Sequence, residues 1–410
     1  MMVGMARRKI KIREQDVQGL KHFKKLRPLF DRLHEVGCER DRADNRTLHF
    51  DQYCCLVMLF MFNPIVSSLR AMQQASGLKN VQRKLGCARA SLGSLSESAR
   101  VFDPSLLQGI VQELGEQLMP LARDPRLAEV RHLVTLVDGT LLKALPRIAC
   151  AMWLTTRSGT AHHAFRLHTH FELDKAVPVR MDLTLGRNSG TSDEREVLKR
   201  ALQPDRCYVM DRGYAKYTLF NAIHDAGSGY VCRVRDNSAY EVVEDRTLTD
   251  EDAEAGVLSD QIIRLGQAIK PDRQVGHAVR LVCVQTSPHD KRSNRKGNTG
   301  AGPSDGVLRI ATNQTDVPAS IIALLYRYRF TIEVFFRFFK HVLGCRHLLS
   351  DSPRGIEIQT YCAIIACMLI SLYTGRKPTL RTYEMVCYYF TGLADEDELL
   401  AHIAKLKPHA

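Results

Sequence analysis

Four residues suited to phosphate or metal chemistry follow one another at helical spacing near the end of the chain. In the segment YRYRFTIEVFFRFFK, Tyr326, Arg329, Glu333 and Lys340 are three, four and seven residues apart, and these steps fall on one side of an α-helix. A carboxylate flanked by cations suits metal-assisted phosphoryl transfer, because the carboxylate binds the metal while Arg and Lys bind phosphate oxygens. Taken alone, the pattern is more typical of a solvated helix face with an Arg329–Glu333 ion pair.

Two apolar segments bring further carboxylates. HLVTLVDGT contains Asp138 and RCYVMDRGY contains Asp211, each directly after the apolar run and with a glycine close behind. Runs that are apolar on both faces and stop at an acidic residue are typical of buried strands that deliver a carboxylate to a sheet edge. With Glu333, the two aspartates offer three hard oxygen ligands of the kind that Mg²⁺ prefers. We therefore predict a three-carboxylate metal site.

These motifs resemble those of bacterial insertion-sequence transposases of the DDE class, in the insertion sequence 4 type with the signature Y-x2-R-x3-E-x6-K. The segment from Tyr326 to Lys340 fits that signature without a gap. The first-aspartate motif D-x-T is met by DGT at Asp138, and D-x-G-[FY] is met by DRGY at Asp211. Four residues at fixed spacing plus two short motifs in the right order make the match specific, whereas one motif alone is weak.

The resemblance implies a protein that cuts DNA at the ends of a mobile element and joins them to target DNA, with a hairpin intermediate. The implied catalytic and metal-binding residues are Asp138, Asp211 and Glu333. The residues implied to bind DNA phosphates near the cleaved end are Tyr326, Arg329 and Lys340. The carboxylates would hold two Mg²⁺ ions about 4 Å apart, for which Mn²⁺ can substitute. The implied partners are terminal inverted repeats and target DNA, held by a homodimer on paired DNA ends.

One position departs from the family pattern. The residue after Arg329 is Phe330, where relatives commonly place Trp, and the single Trp of the chain is Trp153. Stacking on a flipped end base would then fall to an aromatic residue such as Phe330, or be absent.

Two other functions share these features. The first is a transposase-derived regulator that binds DNA without catalysis, against which the intact set of three carboxylates argues. The second is a nuclease on the same core, which those carboxylates do not separate from a transposase. Strand-transfer products, as opposed to cleavage alone, discriminate the two enzymes.

Composition supports a nucleic-acid partner. The 410 residues carry 58 Lys and Arg against 45 Asp and Glu, giving a net charge of +13 and a pI near 9.2, and a basic balance of this size favours a polyanion. The 12 cysteines form no paired C-x2-C motifs and mostly lie in apolar runs, which favours buried reduced thiols over disulfides or a zinc framework.

The chain shows no secretory signal, because its basic N-terminus leads into no apolar core. The longest apolar stretches, Tyr53–Phe62 and Tyr361–Tyr373, are shorter than the ~20 residues needed to cross a bilayer. We therefore expect no membrane association, and a bacterial cytoplasmic protein associated with the nucleoid.

The order of predicted elements gives an α/β fold, with an RNase H-like mixed sheet flanked by helices, interrupted by an inserted β domain and preceded by a helical domain. Three strands, helix, strand, helix, strand is the order in the catalytic core that the resemblance implies. Asp211 and Glu333 are 333 − 211 = 122 residues apart, a surplus best explained by the insertion. The predicted division is 1–125 (basic helical, with a DNA-binding role left open), 126–236 (first segment of the RNase H-like catalytic core), 237–313 (inserted β-rich domain), 314–378 (second segment of the catalytic core) and 379–410 (helical tail).

Three segments are left open. The helices before residue 125 suit either a helix-turn-helix-like DNA reader or a cap that supports the core. The basic loop with Lys291, Arg292, Arg295 and Lys296 either follows a DNA strand or is solvated. In HHAFRLHTHFEL, period two places His162, Arg166, His168 and His170 on one strand face. That pattern favours a polar face near the cleft or DNA backbone over a zinc site.

Overall fold

The computed structural model describes most of the chain. The described residues are 27–37, 39, 41, 46–118, 120, 124–143, 153–155, 161–185, 190–266, 274–286, 305–342, 348–350, 352–377 and 379–406. They form two compact units, a helical unit within Met1–Leu114 and Phe339–Lys407 and a sheet unit within Gly115–Phe338.

The secondary structure alternates between helical and mixed segments. Its α-helices are, in chain order, α1 Phe50–Phe62, α2 Leu69–Ser76, α3 Lys79–Leu85, α4 Leu92–Val101, α5 Ser105–Gln117, α6 Glu194–Arg200, α7 Tyr217–Asp225, α8 Asp250–Glu254, α9 Ala319–Tyr328, α10 Phe330–Val342, α11 Pro353–Thr374, α12 Leu380–Thr391 and α13 Glu396–Lys405. Its strands are β1 Leu133–Lys143, β2 Trp153–Thr155, β3 Ala161–Glu172, β4 Val177–Leu185, β5 Arg206–Met210, β6 Gly229–Arg233, β7 Tyr240–Asp245, β8 Val257–Leu265, β9 Val279–Gln285 and β10 Val307–Thr312.

The strands form one mixed sheet, and its first half is RNase H-like. β1 pairs antiparallel with β3 and parallel with β5. β4 continues the antiparallel side and β6 the parallel side, while short β2 pairs with the start of β3. Three antiparallel strands followed by two parallel ones, flanked by helices, confirm the predicted fold class.

Burial explains why the central strands are so apolar. Every residue of RCYVM in β5 except the first is buried, and GYVCR in β6 is buried except for the last, because helices cover one face of these strands and other elements cover the second. Leu198 of α6 and Phe220 of α7 pack with Val137 and Tyr208 of the sheet. Each such side chain contributes roughly 1.5–3 kcal/mol through burial.

The strands predicted for residues 237–313 are present as β7, β8, β9 and β10, and they extend the central sheet. Ile310 of β10 pairs with Arg233 of β6, and the remaining strands follow antiparallel. Ile263, Val279 and Ala311 belong to the same apolar cluster as the parallel strands. The extension therefore shares sheet and core with the RNase H-like strands. The five-segment domain division remains a prediction, and the basic loop at 291–296 and the first 26 residues of the basic N-terminal segment lie outside the described residues.

A buried arginine on β9 holds the segment that leads into α9. Arg280 is 2% exposed, and its Nε and Nη2 each donate to the Asp260 carboxylate at 2.7 Å. Its Nη1 donates to the carbonyl of Val317 and to two carbonyls before it. Asp252 of α8 accepts from the backbone N–H of Ser320 at 2.7 Å, in the first turn of α9. The strand extension thus fixes where α9 begins.

Arg280→Met should destabilise the protein by about 3–5 kcal/mol, because it leaves the buried Asp260 carboxylate with only the partly exposed Arg246, whose Nε lies 3.8 Å away. Arg280→Met/Asp260→Leu should recover part of that loss, since no buried charge is then left without its main partner. Urea denaturation measures both. The control is Arg264→Met. The ion pair of Arg264 with Glu241 is solvent-exposed, so this substitution should change the free energy of unfolding by less than ~0.5 kcal/mol. An Arg280→Met loss no larger than that of the control would contradict the buried clamp.

The helical unit is built around α1 and α11. In α1 all residues except Gln52 are buried, as expected for a helix that is apolar on every side. α11 packs against α1 and α4. It begins where Ser352 Oγ accepts from the N–H of Gly355 at 3.0 Å, and it ends at Gly375, whose φ of 61° is left-handed, a conformation that favours glycine. Whether these helices read DNA or support the core stays open.

The apolar stretch Tyr361–Tyr373 is part of a longer helix than the sequence indicated. α11 has 22 residues and is long and apolar enough to cross a membrane, but 83% of its most apolar window is buried inside the protein. Core helices of globular proteins share this length and composition.

The described cysteines all have free thiols. Six of those in the apolar runs of the sequence are buried: Cys54, Cys55, Cys207, Cys232, Cys362 and Cys367. Burial raises the pKa of Cys207 to about 12, so this thiol stays protonated and unreactive.

Candidate active site

The two aspartates are brought together by neighbouring parallel strands. Val137 of β1 is directly opposite Met210 of β5, and Asp138 and Asp211 are the next residues on the two strands. Asp211 directly follows the last residue of β5, whereas Asp138 lies inside β1, which continues to Lys143 beside β3. The two aspartates are therefore neighbours where the pairing of β1 with β5 ends, and the prediction of a strand end is confirmed for Asp211 and wrong for Asp138.

The predicted helical stripe lies on two helices that meet at Arg329. α9 ends at Tyr328 and α10 begins at Phe330. Arg329 has helical dihedral angles (φ −50°, ψ −35°). However, its N–H donates to Tyr326 O and its carbonyl accepts from the N–H of Ile332. These bonds span three residues instead of four and tighten the turn.

Arg329 lies between two of the three carboxylates. Its Nη2 donates to Glu333 Oε1 at 2.8 Å, and its Nη1 lies 3.8 Å from Asp138 Oδ2. The third carboxylate is held by Tyr326, whose hydroxyl donates to Asp211 Oδ1 at 3.0 Å. The structure thus gathers Asp138, Asp211, Glu333, Tyr326 and Arg329 in one place.

The two aspartates differ in their affinity for protons. Burial raises the pKa of Asp138 to about 6, and the charges of Asp211 and Glu333 push it the same way. The Gly139 N–H, 2.8 Å from Asp138 Oδ1, and Arg329 oppose that rise. For Asp211, burial also favours the neutral acid. Hydrogen bonds and the charge of Arg329 outweigh it and hold the pKa below its usual value.

These residues fit a divalent cation. The three carboxylates outnumber the guanidinium groups of Arg329 and Arg233, which both lower the pKa of Asp211, and the donors are the hard oxygens that Mg²⁺ and Mn²⁺ take. A cation would also relieve the repulsion that raises the pKa of Asp138. Asp138, Asp211 and Glu333 are the residues that would hold it.

The predicted phosphate-binding residues are placed differently from one another. Tyr326 and Arg329 are buried and contact the carboxylates, while Lys340 lies half-buried in the last turn of α10. Phosphate binding by all three remains a prediction. Phe330 is 53% exposed, and its ring centroid lies 4.7 Å from Arg329 Cζ, so its predicted role in base stacking also remains open. The side chain of Trp153 lies outside the described residues.

A fourth carboxylate at the sheet edge was missed from the sequence. Glu194, the first residue of α6, accepts a hydrogen bond from Arg166 Nη1 at 3.3 Å. A methyl group on Gly139 would lie 3.0 Å from Glu194 Oε2, and one on Gly213 would lie 3.3 Å from Oε1. The glycines of both aspartate motifs thus leave room for one carboxylate. The only sequence signal was an acid in the first turn of a predicted helix.

The prediction that the polar strand face lies near the cleft is wrong for His168 and His170. They lie opposite Gly139 and Val137, so they share the sheet face opposite the Asp138 side chain. Both are buried, and α6 packs against β3. Burial lowers the pKa to about 4 for His168 and about 3 for His170, so both are neutral near pH 7. The side chain of His162 lies outside the described residues.

Comparison with known protein families shows which family contains these motifs. The family model described as "Transposase DDE domain" matches residues 130–369, more than half of the chain. The chain belongs to the DDE transposase family. The match includes both aspartate motifs and Glu333.

Similar proteins bear transposase names. The chain is 25% identical over 245 residues to y4zB of Sinorhizobium fredii, named as a transposase; the match covers 60% of this chain and 62% of that protein, less than two thirds of that relative's length. It is 24% identical over 294 residues to a protein of Geobacillus stearothermophilus named as the transposase of an insertion sequence element, covering 70% and 68%. A piggyBac transposase in a synaptic complex with hairpin DNA aligns with a TM-score of 0.41 and 10% identity, covering 95% of this chain and 85% of that chain.

Because the pKa of Asp138 is raised, we expect the free energy of unfolding to depend on pH. Folded Asp138 binds its proton more tightly than an unfolded aspartate, whose pKa is near 3.9. The free energy of unfolding of the metal-free protein therefore loses this contribution as pH rises from about 4 to about 6. Asp138→Asn removes the loss, so the variant should be more stable than the parent by about 2–3 kcal/mol above pH 6, with little difference near pH 4.

Urea denaturation in EDTA from pH 4 to pH 8 measures this difference. Added Mg²⁺ should reduce the stability difference between Asp138→Asn and the parent, because the cation stabilises the parent by binding its folded state. A difference that does not change with pH would contradict the assignment.

Proposed function

We propose that this transposase, as a member of the group with the Y-x2-R-x3-E-x6-K signature, cuts DNA at the ends of an insertion sequence and joins them to target DNA. Its substrates are then the terminal inverted repeats and the target duplex. The observation that carries the proposal is the gathering of Asp138, Asp211 and Glu333 around Arg329, at the point where the parallel pairing of β1 with β5 ends. This is a charge arrangement suited to phosphoryl transfer.

The nucleophiles are water and a DNA 3′-hydroxyl. Among the described residues of the site, the hydroxyl-bearing side chain that contacts a carboxylate is Tyr326. Burial and the Asp211 charge raise its pKa, so the phenolate needed for covalent attack is disfavoured. Water therefore attacks first and frees a 3′-hydroxyl, which attacks in the later steps.

The cofactor is Mg²⁺, with Mn²⁺ as a substitute. When bound, the cation supplies charge stabilisation for the attacking and leaving oxygens. Asp138 must be deprotonated to serve as a ligand, and Arg329 lowers its pKa. Glu333, whose side chain is 48% exposed, is one of the residues that would hold the cation. Arg329, which carries several N–H donors, would bind a phosphate of the DNA.

Glu333 and Lys340 have separable roles under this proposal. Lys340→Ala should weaken DNA binding across sequences and lower the salt dependence by about one unit on a log-log plot, because one phosphate contact is lost. Glu333→Ala should abolish cleavage without weakening DNA affinity, because a carboxylate repels phosphate. Salt-dependent binding curves and cleavage rates for the two variants measure this. Equal losses of cleavage and affinity in both variants would contradict the division.

The complex is a homodimer on paired DNA ends in the cytoplasm of a bacterium, at the nucleoid. Concerted cleavage of two ends needs two active sites, and a two-fold dimer is the simplest symmetric arrangement. Light scattering of the DNA complex should give two chains for two ends. One chain for two ends would refute the dimer.

The function is tested with DNA that carries the inverted repeats flanking the coding region. The transposase should cleave at the repeat ends with Mg²⁺ and form strand-transfer products with a second duplex. Binding without cleavage would indicate a regulator, and cleavage without strand transfer would indicate a nuclease. Either outcome would overturn the proposal.

A further inference from the structure

A group of metal-binding side chains lies in the helical unit, apart from the three carboxylates. His34, Glu35 and His49 each offer one ligand atom, and these atoms lie within 4.8 Å of one another. His34 Nε2 lies 3.6 Å from Glu35 Oε1. Two ligands at about 2.1 Å from one ion and 3.6 Å from each other subtend roughly 118°, close to the tetrahedral angle that zinc sites adopt.

Both imidazoles are oriented by their second nitrogen. His34 Nδ1 lies 3.0 Å from Oδ1 of Asp51, a carboxylate that is 4% exposed. His49 Nδ1 lies 3.0 Å from the backbone carbonyl of His34. A carboxylate and a carbonyl are the usual partners that fix the tautomer of metal-binding histidines and leave Nε2 as the ligand.

The two rings are already side by side. Their centroids are 3.9 Å apart and their planes differ by 13°. An ion shared by both rings would draw their nitrogens toward one point, so binding must open this stack. The Glu35 side chain is 81% exposed, so little packing restrains it and it can move with the two imidazole rings.

We propose that His34, His49 and Glu35 bind a transition-metal ion of the zinc type. Imidazole nitrogens select such ions over Mg²⁺, which prefers oxygen ligands, so this site would not compete with the carboxylates for the catalytic cation. Three protein ligands leave the fourth position to water. The ion would tie the segment at His34 to His49, the residue directly before α1, and so fasten the chain that enters the helical unit.

Zinc binding to the full chain tests the proposal. The background variant is Asp138→Asn/Asp211→Asn/Glu333→Gln, in which the other acidic site is silenced. After removal of metals with a chelator, Zn²⁺ is titrated against a chromophoric chelator, and Co²⁺ is used as a spectroscopic substitute. We expect one equivalent of tightly bound Zn²⁺ and a Co²⁺ spectrum typical of four-coordination.

The variants decide whether that equivalent is bound at this site. His34→Gln, His49→Gln and Glu35→Gln should each weaken it at least about tenfold, and Asp51→Asn about 10–100-fold through the orientation of His34. The matched control is His402→Gln in the same unit, which should leave the affinity for Zn²⁺ unchanged. Circular dichroism of the metal-free variants checks folding, and exposed Glu35 keeps the test informative if a histidine variant unfolds. Equal binding in all variants would show an adventitious ion only and overturn the proposal, as would no binding at all.

Discussion

Asp138→Asn and Asp211→Asn should each lower the rate of DNA cleavage by about a thousandfold or more, or ~4 kcal/mol of transition-state stabilisation. Each variant removes one of the three carboxylates that would hold the cation, and with it part of the charge stabilisation that the cation supplies. DNA affinity should change little, because phosphate contacts come mostly from Arg and Lys. Single-turnover cleavage of a repeat end and a binding curve on the same DNA measure the two effects.

The matched control for the aspartates is Asp225→Asn. Asp225 lies at the exposed end of α7 in the same unit, so its loss of charge should leave cleavage within a few-fold of the parent. Cleavage by Asp138→Asn or Asp211→Asn at a rate near that of Asp225→Asn would mean that the metal site is misassigned.

Arg329→Met should lower cleavage by roughly 10²–10³-fold, the usual cost of removing one donor that stabilises developing charge. It should also shift the pH dependence. Arg329 lowers the pKa of Asp138, so its removal lets that pKa rise above about 6. The acid limb of the cleavage profile then moves to higher pH, because Asp138 must be deprotonated to bind metal. Arg329→Lys keeps the charge but loses the planar fork that reaches two carboxylates, so it should restore only part of the rate.

Arg327→Met is the control for Arg329. Arg327 lies two residues earlier on α9 and is exposed, so its replacement should leave the pH profile unchanged. An unshifted profile in Arg329→Met, or an equal shift in Arg327→Met, would contradict the coupling between Arg329 and Asp138.

The sequence predicted the RNase H-like strands and the two aspartates because their signals are local. A run such as RCYVM is short and apolar on both faces, which favours a buried strand, and Asp211 does follow the end of that strand, whereas Asp138 lies inside β1. The order of strands and helices then left few arrangements of the sheet. The pairing of β10 with β6 depends on contacts between residues such as Ile310 and Arg233, and nothing in either segment specifies the other.

The site was less predictable where tertiary contacts decide it. No glycine or proline marks the break at Arg329, so the segment looked like one helix. Period-two spacing showed that His168 and His170 share a face, but alternation does not reveal that this face is covered. Glu194 reaches Gly139 and Gly213 from a separate helix, and Arg280 pairs with Asp260 from a neighbouring strand. Such partners are visible only once the chain is folded.

Metal binding tests the central claim most directly. Metal-free transposase is titrated with Mn²⁺, and the free ion is followed by its electron paramagnetic resonance signal. The parent should bind Mn²⁺, and Asp138→Asn, Asp211→Asn and Glu333→Gln should each weaken that binding at least about tenfold, while Asp225→Asn leaves it unchanged. Binding curves that coincide for the parent and all three site variants would show that these carboxylates do not form a metal site.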